Sequence, residues 1–295
     1  MIPMVHKQET MRGEQLRATL HYLANNEHLM HFLIIFLSTF MLLGALPFYP
    51  LSASFILALI CGGIGYVHPE FGLILGVLFG LPSAAYQSSG LAGLYILYIS
   101  LVLIEAKEKW MEVGAINIIL FSAFAFPEFS IIGIFTILAI VFSNYHFGSQ
   151  KTITLVVFSV LMIMTLSALW GVQNNAGFHV NIGDYTQAVS IERSKPMLEY
   201  GTFGDGFSTA ISDLFNPSVL GGAYDTVIPF FSAVIQVLID DSGFVQIIGW
   251  IIGLFVMAYL SGVLQTETKF QQTISSFAII IPLIFYYLAS ILYGF

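Results

Sequence analysis

An all-α, polytopic integral membrane protein is the fold class this sequence predicts, and three observations predict it. Hydrophobic residues make up 57% of the 295, only 9% are charged, and the mean hydropathy is +0.87. A soluble domain carries about a quarter charged residues, so this composition cannot cover a water-facing surface. The apolar residues come in unbroken runs such as Leu155 to Trp170. A membrane β-barrel would alternate apolar and polar positions, so the spans are helices. Finally, the few charges, net −8, fall mostly between the runs.

Residues 1–29 read as an N-terminal amphipathic cytoplasmic segment. Leu16, Leu20 and Leu23 recur at i, i+4 and i+7, Lys7, Arg12 and Arg17 lie around them, and Asn25-Asn26 ends the stripe. No cleavable secretory signal is expected, because the first apolar run starts only near Phe32 and no A-x-A-like site follows it.

Residues 30–151 hold six short runs, at 32–46, 51–67, 71–81, 91–104, 113–126 and 129–143. A crossing needs about 20 residues, and most of these are shorter. Pro47, Pro82 and Pro127 close alternate runs. The pattern predicts three helical hairpins with proline at or near each tip, set in a locally thinned bilayer. Glu128 follows Pro127, and a carboxylate buried mid-helix is costly unless paired. The tip reading leaves it hydrated. Ser83 to Gly90 is polar enough to read as another tip.

Residues 152–172 make an ordinary transmembrane helix, and 173–225 an extracytoplasmic loop segment with partial strand-like alternation over His179 to Ile191. The run within 226–242 has about 13 apolar residues, the length of a re-entrant or interfacial segment. Two further transmembrane helices fill 243–295. The sum is about nine crossings, within a range of eight to ten. Lys7, Arg12, Arg17, Lys107, Lys109 and Lys151 then share one side, which the positive-inside rule makes cytoplasmic. The expected location is the cell membrane, multi-pass, with a cytoplasmic N-terminus and 173–225 outside.

Candidate functional residues are few. Gly72, Gly76 and Gly80 are spaced four apart, as are Gly249 and Gly253, and such glycines let two helix backbones approach closely. They serve either a subunit interface or packing within the chain. Glu128, the His68 and Glu70 pair, and Asp240 with Asp241 are candidate functional polar groups. Glu105, Lys107, Lys109 and Trp110 form a mixed-charge cluster, either a solvated turn or a docking surface for a cytoplasmic partner. Trp110, Trp170 and Trp250 are placed to mark interface levels.

Much chemistry is excluded. Cys61 is the only cysteine, so no intrachain disulfide or Cys-based metal site forms. Its apolar neighbours make it a small core filler. Nine Lys and Arg are too few and scattered for nucleic acid. There is no H-E-x-x-H, G-x-S-x-G or Walker A motif. Gly204-Asp205 and Tyr224-Asp225 stand in the wrong order and spacing for a membrane aspartyl protease, and outside the spans. No cofactor is implied. The partners implied are the lipid bilayer and other membrane or cytoplasmic subunits. The runs 152–172, 243–264 and 273–294 hold no charge, against what ion-coupled transport needs. The leading expectation is therefore a non-catalytic integral membrane subunit anchoring or scaffolding a larger complex. A permease or channel-like transport subunit comes second, and a membrane enzyme using the outer segment third.

Overall fold

The computed structural model describes residues 26–46, 48–87, 89–125, 133–170, 217–262 and 268–293, with 208, 212 and 215 besides. Among these residues there is no strand. The element order is α1 (Glu27–Ala45), α2 (Leu51–Val67), α3 (Pro69–Gln87), α4 (Ser89–Ser122) and α5 (Gly133–Trp170). Then come α6 (Pro217–Ile239), α7 (Asp241–Leu260), α8 (Lys269–Ser276), a 3-10 turn over Phe277–Ile279, and α9 (Ile280–Tyr293). Five helices, α1, α3, α4, α5 and α7, are long and apolar enough to cross a membrane. Leu51–Val67, Ile228–Ile239 and Gln271–Phe285 are shorter apolar helices. On α2, Leu51, Phe55, Ile56, Leu59 and Ile60 all face outward. So continuous an apolar face is foreign to a soluble monomer and natural against lipid.

Local chemistry sets the helix ends. Asn26 caps α1, its side chain accepting the Leu29 N–H at 3.2 Å, and Glu27 suits the positive end of the dipole. The amphipathic segment read as 1–29 therefore gives way to helix by Glu27, and residues 1–25 lie outside the described residues. Pro50 precedes α2. His68 alone links α2 to α3, donating its N–H to the Ile64 carbonyl at 2.9 Å. Pro69 then starts α3, where its missing N–H is harmless.

Two of the long helices are not straight. At Lys109 the backbone leaves the helical region (φ −127°, ψ 33°). The Tyr98 hydroxyl donates to Asn117 Oδ1, and the Tyr98 and Phe121 rings pack edge to face. Nineteen residues of unbroken helix would hold Tyr98 and Asn117 about 28 Å apart, so the two arms of α4 lie against each other. Ser122 Oγ and Thr136 Oγ1 meet at 2.7 Å, where 14 residues of continuous helix would span about 21 Å. No single helix therefore joins Val113 to Phe142, and Glu128 falls outside the described residues. In α5 the break is at Gly148 (φ 75°, ψ 168°), a left-handed backbone that favours glycine.

Several expectations are corrected. Ser83 to Gly90 is not a tip in its first half: α3 continues to Gln87 with Pro82 inside it, and Ser83, Tyr86 and Gln87 are buried. Their polarity faces protein rather than lipid, which is why the helix tolerates it. The 13-residue run at 227–239 belongs to a 23-residue helix that begins at Pro217, so the segment read as 173–225 gives way to helix by Pro217. The run read as 273–294 holds a 3-10 turn over Phe277–Ile279, between α8 and α9. Trp250 marks no interface. It sits in the middle of α7, 7% exposed, among core residues.

The core is built around α1, which packs on α2, α3 and α4, while α4 also touches α5 and α6. Ile35, Met41, Leu42, Phe48, Leu73, Ile119, Ile140 and Ile163 are its most enclosed large side chains. Phe36 and Phe40 of α1 stack in parallel, and Phe55 of α2 meets both edge-on. The C-terminal helices form a smaller unit, with α7 against α9.

Candidate functional site

One end of the molecule gathers its charges. The first turn of α1, the link at His68 and the bend at Lys109 meet there. His28 Nδ1 lies 2.8 Å from the Tyr66 carbonyl oxygen, so that nitrogen carries the proton and donates. The His31 ring packs edge-on to Trp110 at 4.7 Å and to His28 at 5.8 Å. His68 and Glu70 approach to 3.9 Å. Glu105 and Lys109 pair at 2.6 Å across one helical turn, and the Glu105 carboxylate holds the Lys109 ammonium above its ordinary range. Glu112 reaches Lys151 of α5 at 3.2 Å. Lys107 and Glu108 are exposed beside them.

The predicted cluster of Glu105, Lys107, Lys109 and Trp110 is thus brought together with His68 and Glu70, which the sequence did not link to it. Exposed pairs of this kind contribute little to stability. Their arrangement matters as a surface.

Lys269 belongs to the same end. Asn144 Nδ2 donates to the Gln272 carbonyl at 2.9 Å, which ties the start of α8 to the region around Lys151. All four basic residues among the described ones, Lys107, Lys109, Lys151 and Lys269, therefore share one end. Asp240 and Asp241 lie at the other end of α7. Asp240 Oδ2 accepts the Gly243 N–H at 3.1 Å, so Asp240 is the N-cap of α7 and needs no cation to explain it. Asp241 is exposed.

The interior is polar but uncharged. Among the residues whose burial is described, which leave out Asp225 and Lys269, no Asp, Glu, Lys or Arg is buried, whereas Ser38, Asn117, Ser122, Ser143, Asn144, Ser149 and Ser275 are. Asn117 accepts from Tyr98 and donates to Ser38 at 3.0 Å, linking α4 to α1. Asn144 makes a second cluster with Ser149, Ser275 and Ser276. The sequence reading missed both clusters. Their only trace is isolated small polar residues within apolar runs.

The glycines pack inside the chain. A Cβ on Gly72 would stand 2.6 Å from the Cys61 carbonyl oxygen and 2.7 Å from the Gly65 backbone. At Gly76 it would meet Thr39, and at Gly80 Tyr95 and Leu42. Gly249 lies against Phe285, and Gly253 against Pro282. Among the described residues no group of three or more His, Cys, Asp or Glu could hold a metal ion. No protein family, curated protein or solved structure matches the chain.

Proposed function

We propose that this chain is a non-catalytic integral membrane subunit that anchors a larger assembly through its charged end. The observation that carries the reading is the segregation of charge, with a neutral interior and a rim of paired and unpaired charges around Trp110. In the same reading the rim is cytoplasmic, because the basic residues gather there. The short helices pair as hairpins, the crossings number about nine, 173–225 lies outside, and the protein resides in the cell membrane. Lys269 at the rim favours α7 running inward. It also favours α6 (Pro217–Ile239) lying along the outer interface rather than crossing, since Gly221-Gly222 and Asp225 make its first half less apolar than its second.

A permease is the second reading. The buried polar clusters beside breaks in the helices favour it, since transporters build sites where helices are interrupted. The test is affinity purification from the source membrane with wild type and a Lys107→Glu, Glu108→Lys double variant. Anchoring predicts partners that co-purify with wild type and are lost from the charge-swapped variant, at equal expression. Identical co-purification would remove the rim from the reading.

A further inference from the structure

Two outward apolar faces have the same length. On α2 the face runs from Leu51 to Val67 and on α7 from Phe244 to Leu260, and all four of these residues are exposed. Each covers sixteen residue steps, which is about 24 Å of helix. The ends are abrupt. Pro50 and His68 bound α2. Asp240 and Asp241 precede the α7 face, and Gly262, with φ 69°, stands just past the end of the helix. A tyrosine stands one residue before the last position of each face, Tyr66 at 43% exposure and Tyr259 at 78%. Both lie at the charged end of the molecule. The Tyr66 carbonyl accepts from His28, and Tyr259 is on the end of α7 that leads to Lys269. Exposed tyrosine is enriched at headgroup level, so the two rings mark one boundary of a lipid-facing belt.

A typical hydrocarbon core is about 30 Å thick. A helix too long for it tilts, but a helix too short cannot stretch, and any tilt shortens its reach further. The 24 Å of each face, about sixteen steps of 1.5 Å, is therefore an upper bound on the thickness it covers. Long basic side chains would let a short helix reach the interface by snorkelling. No Lys or Arg stands within five residues of either end of either face. The carboxylates of Asp240 and Asp241 are too short to serve in their place.

We propose that the lipid partner of this chain is a bilayer with a hydrocarbon core of about 24 Å, and that a thicker bilayer thins around α2 and α7. The inference reaches beyond thinning at the proline-tipped hairpins, because α7 lies outside them and its run, 243–264, has ordinary length in the sequence. It rests on α2 and α7 crossing the membrane, and it is independent of the anchoring role.

The test uses the full chain reconstituted into vesicles of dimyristoleoyl-, dioleoyl- or dierucoyl-phosphatidylcholine, which share a headgroup and increase in thickness. Thermal unfolding is followed through the reactivity of the buried Cys61 thiol. The unfolding temperature should be highest in the dimyristoleoyl lipid and lower by about 5 °C or more in the dierucoyl lipid. Equal temperatures in the three lipids, or temperatures that rise with chain length, would overturn the proposal. A second measurement tests the crossing itself. In a Cys61→Ala background, nitroxide labels on single cysteines at Leu51, Leu59 and Val67 report depth through their accessibility to oxygen and to a nickel chelate. In dimyristoleoyl vesicles the labels at Leu51 and Val67 should lie at headgroup level on opposite sides, with the label at Leu59 at the bilayer centre. A Leu51 label at the bilayer centre would show that α2 stops inside the layer, and would overturn the proposal by removing the crossing on which it rests.

Discussion

Alanine at Gly72 is the sharpest perturbation of the helix packing. A new Cβ there would lie 2.6 Å from the Cys61 carbonyl oxygen and 2.7 Å from both Cα and N of Gly65. Ordinary contact begins near 3.4 Å, so α2 and α3 must separate by about 0.8 Å, the difference between these distances, or bend. The obstacle is backbone and cannot rotate away. Overpacking of this kind costs about 1–3 kcal/mol, offset by about 1 kcal/mol because alanine favours a helix over glycine. Tight neighbours on both sides place the net loss near the upper part of that range, about 2 kcal/mol. Gly63 is the internal control. It lies on the same helix as Cys61, nothing stands within 4 Å of its Cβ position, and alanine there should stabilise by up to about 1 kcal/mol. The buried thiol of Cys61, the only cysteine, makes the assay direct. A maleimide dye that fluoresces on reaction reports unfolding on heating in detergent, with light scattering as a second probe. Gly72→Ala should unfold well below wild type and Gly63→Ala at or above it. Equal unfolding temperatures for the two variants would refute close backbone contact between α2 and α3.

Other outcomes follow from the same geometry. Asn117→Leu strands the Tyr98 hydroxyl and Ser38 in the interior, and should cost about 1–3 kcal/mol by the same unfolding assay, whereas Tyr98→Phe alone should cost about 1 kcal/mol. Glu105→Gln should leave the unfolding temperature unchanged, because the pair is exposed. The raised Lys109 pKa means that any contribution is present at neutral pH and is lost only as pH rises through it, so an unfolding transition sensitive to this residue below neutrality would contradict the assignment. Glu128→Gln should be nearly silent in stability if the charge sits hydrated at a tip, and a large change would mark a buried, partnered carboxylate. In a Cys61→Ala background, cysteines at Lys107 and Lys269 should react with an impermeant reagent from one side of the membrane and a cysteine at Thr202 from the other. Labelling of Lys107 and Lys269 positions from opposite sides would reverse the placement of α7.

Membrane helices were readable because lipid imposes a long-range demand on composition, and a run such as Leu155 to Trp170 needs no partner to be recognised. The gap at 68–70 between the runs 51–67 and 71–81 was readable for a local reason, since proline and polar residues interrupt apolar sequence there. Ser83 to Gln87 was misread because periodicity cannot distinguish a polar residue facing solvent from one facing protein. The same ambiguity hid Asn117 and Asn144, whose partners Ser38 and Gln272 lie 79 and 128 residues away. Glu105, Lys107, Lys109 and Trp110 were visible as a cluster, but their meeting with His31, Glu70 and Lys151 depends on the bend at Lys109, which no proline or glycine announces. The Gly72, Gly76 and Gly80 face was legible as close packing, and only the fold names α1, α2 and α4 as what it packs against.

Site-specific photo-crosslinking in the source membrane is the most direct measurement of the anchoring role. A photoreactive residue is placed at Lys107 or Glu108 on the rim, and at Leu59 or Ile60 on the outward apolar face of α2. A subunit docked through its charged end should give discrete protein adducts from 107 and 108, and mainly lipid adducts from 59 and 60. Protein adducts confined to 59 and 60, with none from the rim, would contradict the anchoring role and turn attention to the apolar face.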